Sequence, residues 1–150
     1  MDLSEILLDN EGRVRFDGII HCGDLQESEF LEELNSYGIS VFAVLGNNYD
    51  YFLERELPRR RIIEIDGFRI GIVHGNGTSG RAMENAKREF MTDNVDLVLF
   101  GHSHVASIEK IGCISYMNPG SLSGSRSGPE SYGIVTTEEG RLKLNIVRID

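Results

Sequence analysis

The segment VDLVLFGHSHVASIEK, residues 95–110, carries the most hydrophobic strand pattern of the chain directly into two of its four histidines. A short apolar run that ends at a glycine is typical of a strand buried on both faces of a sheet. The run stops at Gly101, and His102 and His104 follow with one serine between them. The segment therefore predicts a buried strand that delivers two imidazoles at its carboxyl end.

Helix and strand patterns alternate over the first two thirds of the chain, and strand patterns dominate the last third. The other strand patterns are GIIHCGD (18–24), ISVFAVLGNN (39–48), RIIEIDGFRIGIVHG (61–75) with a hairpin turn at Asp66-Gly67, ASIEKIGCISYMNPGS (106–121), SYGIVTTEEG (131–140) and RLKLNIVRI (141–149). The helix patterns are a short one with Leu3, Ile6 and Leu7 on its apolar face, QESEFLEELNSYG (26–38) and RAMENAKREFMTDN (81–94). This order predicts one α/β domain over residues 1–150, a sandwich of two mixed β-sheets flanked by helices.

The composition excludes several classes of protein. The chain has 150 residues, of which 40% are hydrophobic and 26% charged, and a formal net charge of −9. That charge argues against bulk binding of nucleic acid, and no apolar run reaches the roughly 18 residues that a membrane span needs. The acidic N-terminus lacks the basic region of a secretory signal, so we predict a cytoplasmic protein that does not bind membranes. Cys22 and Cys113 both lie in strand patterns, and we predict that both are buried thiols.

Four strand patterns end in side chains of the kind that bind metals. These side chains are Asp24, Asn47, His74, His102 and His104. Taken singly, a Gly-Asp pair is usually only a turn, and a lone histidine is more often a core residue. Taken together they predict one site, because ligands bind outside the carboxyl ends of the strands in open α/β sheets. Carboxylate, amide and imidazole donors suit Mn²⁺, Fe²⁺, Ni²⁺ or Zn²⁺. His21 precedes the glycine of its turn and is expected to point away from the site.

The ordered set Gly23-Asp24, Gly46-Asn47, His74-Gly75 and Gly101-His-Ser-His104 resembles the calcineurin-like metallophosphoesterases. The resemblance is strongest to their small prokaryotic phosphodiesterase branch, and the segment Asn118-Pro-Gly-Ser121 is also similar to that branch. It implies two divalent metal ions, manganese foremost, and hydrolysis of a phosphate ester by metal-activated water. It assigns Asp24 as the bridging ligand, Asn47, His74 and His102 to one metal, and His104 to the other. Asp24, Asn47 and His74 would be the catalytic residues.

The chain departs from the family pattern at two places. The family begins with a strand that ends in Asp-x-His, and no Asp-x-His occurs in this sequence. We therefore expect a domain without that N-terminal strand, whose exposed sheet edges a neighbouring element or a homo-oligomer would cover. A shifted start, a shortened chain and a real loss of the site all explain this departure. The alternative function is then a non-catalytic scaffold or binding module on the same fold, like the retromer subunit that resembles this family.

The second departure is Asn48, which stands where related phosphatases carry a histidine that assists the leaving group. An amide cannot donate a proton in that way, so a phosphodiesterase is favoured over a phosphomonoesterase. Asn48 and Arg126 are the predicted contacts to the phosphate, and Arg126 lies in the Gly/Ser-rich loop predicted over residues 119–133.

The segment GNGTSG (75–80) satisfies G-x-G-x-x-G, the pattern of dinucleotide-binding loops. We nevertheless predict a loop with a helix beginning near Ser79, because no acidic residue that could bind a ribose ends the next strand.

Overall fold

Four helices and nine strands make up the part of the chain that the computed structural model describes, namely residues 3–23, 28–46, 51–75, 81–122 and 129–149. The helices are α1 (Leu3–Leu7), α2 (Ser28–Asn35), α3 (Tyr51–Glu56) and α4 (Ala82–Glu89). The strands are β1 (Gly18–His21), β2 (Ser40–Ala43), β3 (Arg60–Ile65), β4 (Phe68–Val73), β5 (Leu97–Leu99), β6 (Ser107–Ile111), β7 (Ile114–Asn118), β8 (Glu130–Glu138) and β9 (Arg141–Ile149).

A five-stranded mixed sheet forms the centre of the fold, in the order β3-β4-β5-β7-β6. Strands β4, β5 and β7 are parallel, whereas β3 and β6 run antiparallel at the two edges. Two smaller ladders accompany this sheet, parallel β1–β2 and antiparallel β8–β9. The parallel arrangement places the carboxyl ends of β4, β5 and β7 along one side of the sheet, which is where the sequence predicts a site.

The strands and helices stack into layers around three hydrophobic cores. The central core lies between the five-stranded sheet and the two small ladders, and contains Val44, Ile70, Ile72, Leu97, Leu99 and Met117, with Ile20, Phe42, Val135, Leu144 and Ile146 packed against it. Helices α2 and α3 cover the other face of β1–β2 through Leu31, Leu34 and Leu53, together with Leu57, which directly follows α3. Helix α4 covers the other face of the large sheet through Ala82 and Ala86, together with Phe90, which directly follows the helix. This arrangement confirms the α/β sandwich, although no ladder joins β1–β2 to β8–β9 among the described residues.

Strand β2 shows why a nearly continuous apolar run belongs in such a sandwich. Val41, Ala43 and Leu45 face the helices, whereas Phe42 and Val44 face the central core. Side chains of a strand alternate between the two faces, so a strand covered on both sides is apolar throughout. The regular ladder ends at Ala43, earlier than the pattern over residues 39–48 indicates, and Val44 and Leu45 then bond to the carbonyls of His21 and Pro58.

The predicted hairpin at Asp66-Gly67 is confirmed, and a second one turns at Glu139-Gly140. All four residues have positive φ, at 52° and 84° in the first turn and 52° and 72° in the second. Two consecutive residues of positive φ form the type I′ turn that matches the twist of a two-residue hairpin. The hydroxyl of Thr137 on β8 donates to the carboxylate of Asp66, which ties the two hairpins together.

Two details differ from the sequence prediction. Cys113 is exposed and not buried, because it lies in the tight Gly112-Cys113 turn between β6 and β7. The loop predicted over residues 119–133 is shorter, because β8 begins at Glu130. Helix α4 begins at Ala82, and Ser79 lies outside the described residues. In the described part of the chain, none of the helices has the length and apolar character needed to cross a membrane.

Candidate metal centre

Three chain segments meet where strands β1, β4 and β5 end. His74 follows β4, and its carbonyl accepts a hydrogen bond of 3.0 Å from the backbone N–H of Gly101, which lies beyond β5. A Cβ atom at Gly101 would lie 3.0 Å from the carbonyl oxygen of Cys22, just beyond β1. A side chain at position 101 would therefore fit tightly, and the Cys22 carbonyl would have to shift by a few tenths of an ångström to accept it.

The imidazole of His74 is buried and oriented by the backbone. His74 is 2% exposed, and the Nδ1 atom of its ring lies 2.9 Å from the carbonyl oxygen of Cys22. A carbonyl only accepts, so Nδ1 carries the proton and Nε2 presents its lone pair. Metal-binding histidines in proteins are commonly held by this kind of bond from the other ring nitrogen.

Gly23 lies directly against the His74 ring. Its φ of 106° belongs to a region that L side chains rarely adopt, and a side-chain carbon built there would overlap Nδ1 of His74. The absence of a side chain at Gly23 is thus what leaves room for the imidazole. Asp24, the predicted bridging ligand, is the next residue of the chain and lies outside the described residues.

His102 approaches His74 from the next strand end. Its Nδ1 lies 3.2 Å from Nε2 of His74, and the two rings meet edge to face at an interplanar angle of 83°. Two imidazole nitrogens bound to one tetrahedral ion at about 2.0–2.1 Å lie about 3.3–3.4 Å apart. The observed separation is close to that value, so the pair fits two ligands of a single transition-metal ion.

The backbone of the Gly-His-Ser-His turn is strained. His102 and His104 both have positive φ, at 70° and 61°. Such conformations cost a non-glycine residue about 1–3 kcal/mol and cluster at functional sites, where the surrounding structure enforces them. The Ser103 N–H donates to the Gly101 carbonyl at 2.9 Å, which closes the turn.

The structure brings two of the predicted ligands together and leaves the full set as a prediction. His74 and His102 are paired, and His104 lies in the same turn as His102. Over residues 3–23, 28–46, 51–75, 81–122 and 129–149, no three His, Cys, Asp or Glu side chains are placed to hold one ion, so His104 does not join this pair. Asp24, Asn47, Asn48 and Arg126 all lie outside the described residues.

The ring of His21 packs towards helix α2. Its ring packs edge to face against Phe30 of α2, with 6.0 Å between centroids. Its Nδ1 accepts a hydrogen bond of 3.2 Å from the Gly23 N–H. His21 therefore supports the turn before Asp24 from the helix side.

Two further groups contribute to the electrostatics and shape of the centre. Desolvation by burial raises the pKa of the Cys22 thiol to about 12, so that this side chain stays neutral beside the histidines at physiological pH. Asn118, at the end of β7, is fully buried and donates from Nδ2 to the Gly101 carbonyl and to Oγ of Ser103, both at 3.0 Å. Asn118 belongs to the Asn118-Pro-Gly-Ser121 segment of the family resemblance, but it is not a predicted site residue, although it is a polar residue at the end of a buried strand, as the predicted ligands are.

Comparison with known proteins identifies the family of this site. The sequence profile of the calcineurin-like phosphoesterase superfamily domain matches residues 1–140. The chain belongs to this superfamily. A probable metallophosphoesterase from Methanocaldococcus jannaschii is 33% identical over 135 residues, which cover 89% of this chain and 67% of that protein. A phosphodiesterase from the same organism is 27% identical over 132 residues, covering 81% of this chain and 76% of the relative.

The fold of the phosphoesterase chain also occurs among solved structures. Vps29 from Entamoeba histolytica, crystallised with zinc, superposes with a TM-score of 0.69 at 22% identity, covering 96% of this chain and 86% of Vps29. The similarity confirms the metallophosphoesterase fold. Membership of the superfamily supports hydrolysis of phosphate esters with divalent metal ions, and the donor set of His74 and His102 fits such an ion.

Proposed function

We propose that the chain is a metal-dependent phosphodiesterase with a two-metal centre. The observation that carries this proposal is the nitrogen pair of His74 and His102, held 3.2 Å apart with His74 oriented by the Cys22 carbonyl. A buried imidazole with a fixed tautomer, paired with a half-buried second imidazole, suits a metal better than it suits packing. The phosphodiesterase from M. jannaschii among the relatives supports the choice of substrate class.

The proposed metal ligands are the polar side chains at the ends of the strands. Asp24 would bridge the two ions, His74, His102 and Asn47 would complete one of them, and His104 would bind the other. The ions would supply a Lewis acid for the phosphate oxygens and activate a water molecule as the nucleophile. Manganese is the metal we propose, with Zn²⁺, Fe²⁺ and Ni²⁺ as competitors, because imidazole and carboxylate donors suit all four.

Two residues of the sequence, Asn48 and Arg126, favour a phosphodiester over a phosphomonoester as the proposed substrate. Asn48 follows the proposed ligand Asn47 and can hydrogen-bond a phosphate oxygen, but it cannot protonate a poor leaving group as a histidine would. Arg126 would hold a second phosphate oxygen with its guanidinium fork. The test substrate is therefore a diester with a good leaving group, for which no acid is needed.

Metal binding and hydrolysis are tested in the same set of proteins. The wild type is compared with Asp24→Ala and His74→Ala, and with Ile72→Val as the control. Ile72 lies two residues before His74 on β4, is fully buried and faces the central core. The wild type and Ile72→Val should take up Mn²⁺ and hydrolyse bis(p-nitrophenyl) phosphate. His74→Ala should lose one ion, and Asp24→Ala should lose hydrolysis by about 100-fold or more.

The competing function is a non-catalytic binding module on the same fold. Its support is the similarity to Vps29, which extends to the fold alone. This alternative predicts the same slow hydrolysis rate for the wild type and Asp24→Ala at saturating Mn²⁺. Equal rates would reject the phosphodiesterase, and equal metal content in the wild type and His74→Ala would reject the metal assignment.

A further inference from the structure

Asn118 is fully buried, and both the nitrogen and the oxygen of its side-chain amide form hydrogen bonds. Its Nδ2 donates to the Gly101 carbonyl and to Oγ of Ser103, each at 3.0 Å. Its Oδ1 accepts from the Gly120 N–H at 3.0 Å. Since a backbone N–H only donates, this last bond fixes which end of the amide is oxygen. Both N–H groups of Asn118 therefore face the Gly-His-Ser-His turn.

The two acceptors of Asn118 flank His102 in the chain. The Gly101 carbonyl also accepts from the Ser103 N–H at 2.9 Å, and Oγ of Ser103 accepts from the Val105 N–H at 3.3 Å. The amide of Asn118 thus holds Gly101 and Ser103, the residues before and after His102. The hydroxyl of Ser103 in turn holds Val105, the residue after His104. The two histidines between these anchors are the ones with positive φ.

The position of Asn118 is itself fixed by the fold. The backbone of Met117, its neighbour on β7, pairs with Leu99 of β5, and the Phe100 N–H donates to the Met117 carbonyl at 3.1 Å. The following Pro119 carbonyl accepts a hydrogen bond of 2.8 Å from Oγ of Ser131, a buried residue of β8. The amide is therefore anchored in the sheet while its donors reach into the turn.

We propose that Asn118 is a positioning residue of the metal centre, which holds the Gly101–Val105 turn in the left-handed conformation that directs His102 at His74. This inference rests on the metal site of the proposed function, but not on its turnover. Without the two donated bonds, the turn can relax towards ordinary backbone conformations, because two of the hydrogen bonds that hold the strained backbone at His102 and His104 are lost. The distance between the two imidazoles would no longer be fixed, and metal affinity would fall.

Two variants separate the donated bonds from the packing of Asn118. Asn118→Asp preserves the shape and the acceptor for the Gly120 N–H, but it removes both donors. Ser103→Ala removes only the hydroxyl in the turn, at a residue that is not fully buried. Met117→Ala is the control, because it leaves a cavity one residue away without touching the turn. Each protein is measured for Mn²⁺ affinity by calorimetry, for its thermal midpoint, and, without metal, for amide hydrogen exchange at Ser103 and Val105.

Asn118→Asp should weaken Mn²⁺ binding by about 10-fold or more, in line with other residues that orient metal ligands. Ser103→Ala should weaken it several-fold, and both variants should speed exchange at Val105. Met117→Ala should lower the thermal midpoint while its Mn²⁺ dissociation constant stays within about twofold of wild type. Rescue of tight binding is expected in Ser103→Thr, which restores a hydroxyl.

Several outcomes would overturn the proposal. One is a folded Asn118→Asp with wild-type Mn²⁺ affinity, and another is an equal loss of affinity in Met117→Ala. If Asn118→Asp does not fold, unchanged affinity and unchanged exchange in Ser103→Ala overturn it instead. A wild type that binds no Mn²⁺ also overturns it. A wild type that binds Mn²⁺ without hydrolysing the diester rejects the proposed function alone and leaves the role of Asn118 standing.

Discussion

Replacing Gly23 by alanine should damage both the fold and the metal centre, because this glycine lies against the ring of His74. The added carbon would overlap Nδ1 of His74 and lie 2.8 Å from Cγ and 2.9 Å from Cβ of the same side chain. The imidazole cannot move aside without losing two contacts, the one of 2.9 Å from Nδ1 to the Cys22 carbonyl and the one of 3.2 Å from Nε2 to Nδ1 of His102.

The expected loss has three parts. A φ of 106° costs a non-glycine residue about 1–3 kcal/mol. Forcing an extra methyl group into a packed site costs about 1–3 kcal/mol. Displacing the ring also breaks the 2.9 Å bond from Nδ1 to the Cys22 carbonyl, worth about 1 kcal/mol. The three parts add up to about 3–7 kcal/mol, a large share of the ~5–15 kcal/mol by which domains are stable.

Gly71→Ala provides the matched control. A side-chain carbon at Gly71 would lie 2.8–2.9 Å from three ring atoms of Phe90, on the face of the sheet that α4 covers. This variant should lose about 1–3 kcal/mol through overpacking, without effect on the histidines. Urea unfolding of the metal-free proteins gives the two free energies, and Mn²⁺ titration of the folded proteins gives the affinities.

Gly23→Ala should therefore lose more stability than Gly71→Ala and bind Mn²⁺ at least about 10-fold more weakly than Gly71→Ala does. A Gly23→Ala protein that loses less than about 1 kcal/mol would refute the strain and overlap at this position. Equal Mn²⁺ affinity in the two variants would refute the link between Gly23 and the orientation of His74.

Further expectations concern the thiols and a turn. Iodoacetamide at pH 8 should modify the exposed Cys113 before Cys22, whose pKa is raised to about 12 by desolvation, and peptide mass spectrometry identifies the product. Between pH 9 and pH 12 the unfolded chain releases the Cys22 proton while the folded chain retains it, so the stability of the fold should decrease as the pH rises. In Cys22→Ala, the urea midpoint should decrease less over the same pH range. Glu139→Asn should raise the free energy of unfolding by about 0.5–1 kcal/mol, because Glu139 has a φ of 52° in a type I′ turn that favours asparagine; an unchanged urea midpoint would contradict this.

The strand ends of the site could be predicted from the sequence because burial on both faces leaves a clear signal. The run before Gly101 is apolar because Leu97 and Leu99 face one core and Val98 and Phe100 face another. A polar residue directly after such a run must lie at the end of a buried strand. That reasoning places His74 and His102 in the same region, and the structure brings them together.

Other features could not be predicted because they depend on which strands become neighbours. Ile108 and Ile111 give β6 an apolar pattern, yet both are exposed, because β6 is an edge strand of the large sheet. The exposed turn at Cys113 follows from the hairpin that β6 forms with β7. Likewise, the contact of Asn118 with the histidine turn requires β7 to lie beside β5, although the two strands are separated by β6 in the chain. Periodicity within one segment carries no information about such pairing.

The left-handed backbone of His102 and His104 also has a consequence for how this protein would evolve. At both positions glycine or asparagine would fit the backbone more comfortably than histidine does. If selection for metal binding were relaxed, replacements at these two positions would carry little stability penalty and would spread by neutral drift. A lineage that abandons the chemistry should therefore lose these two histidines early, while Gly23 persists longer, because its φ of 106° is one that other residues rarely adopt.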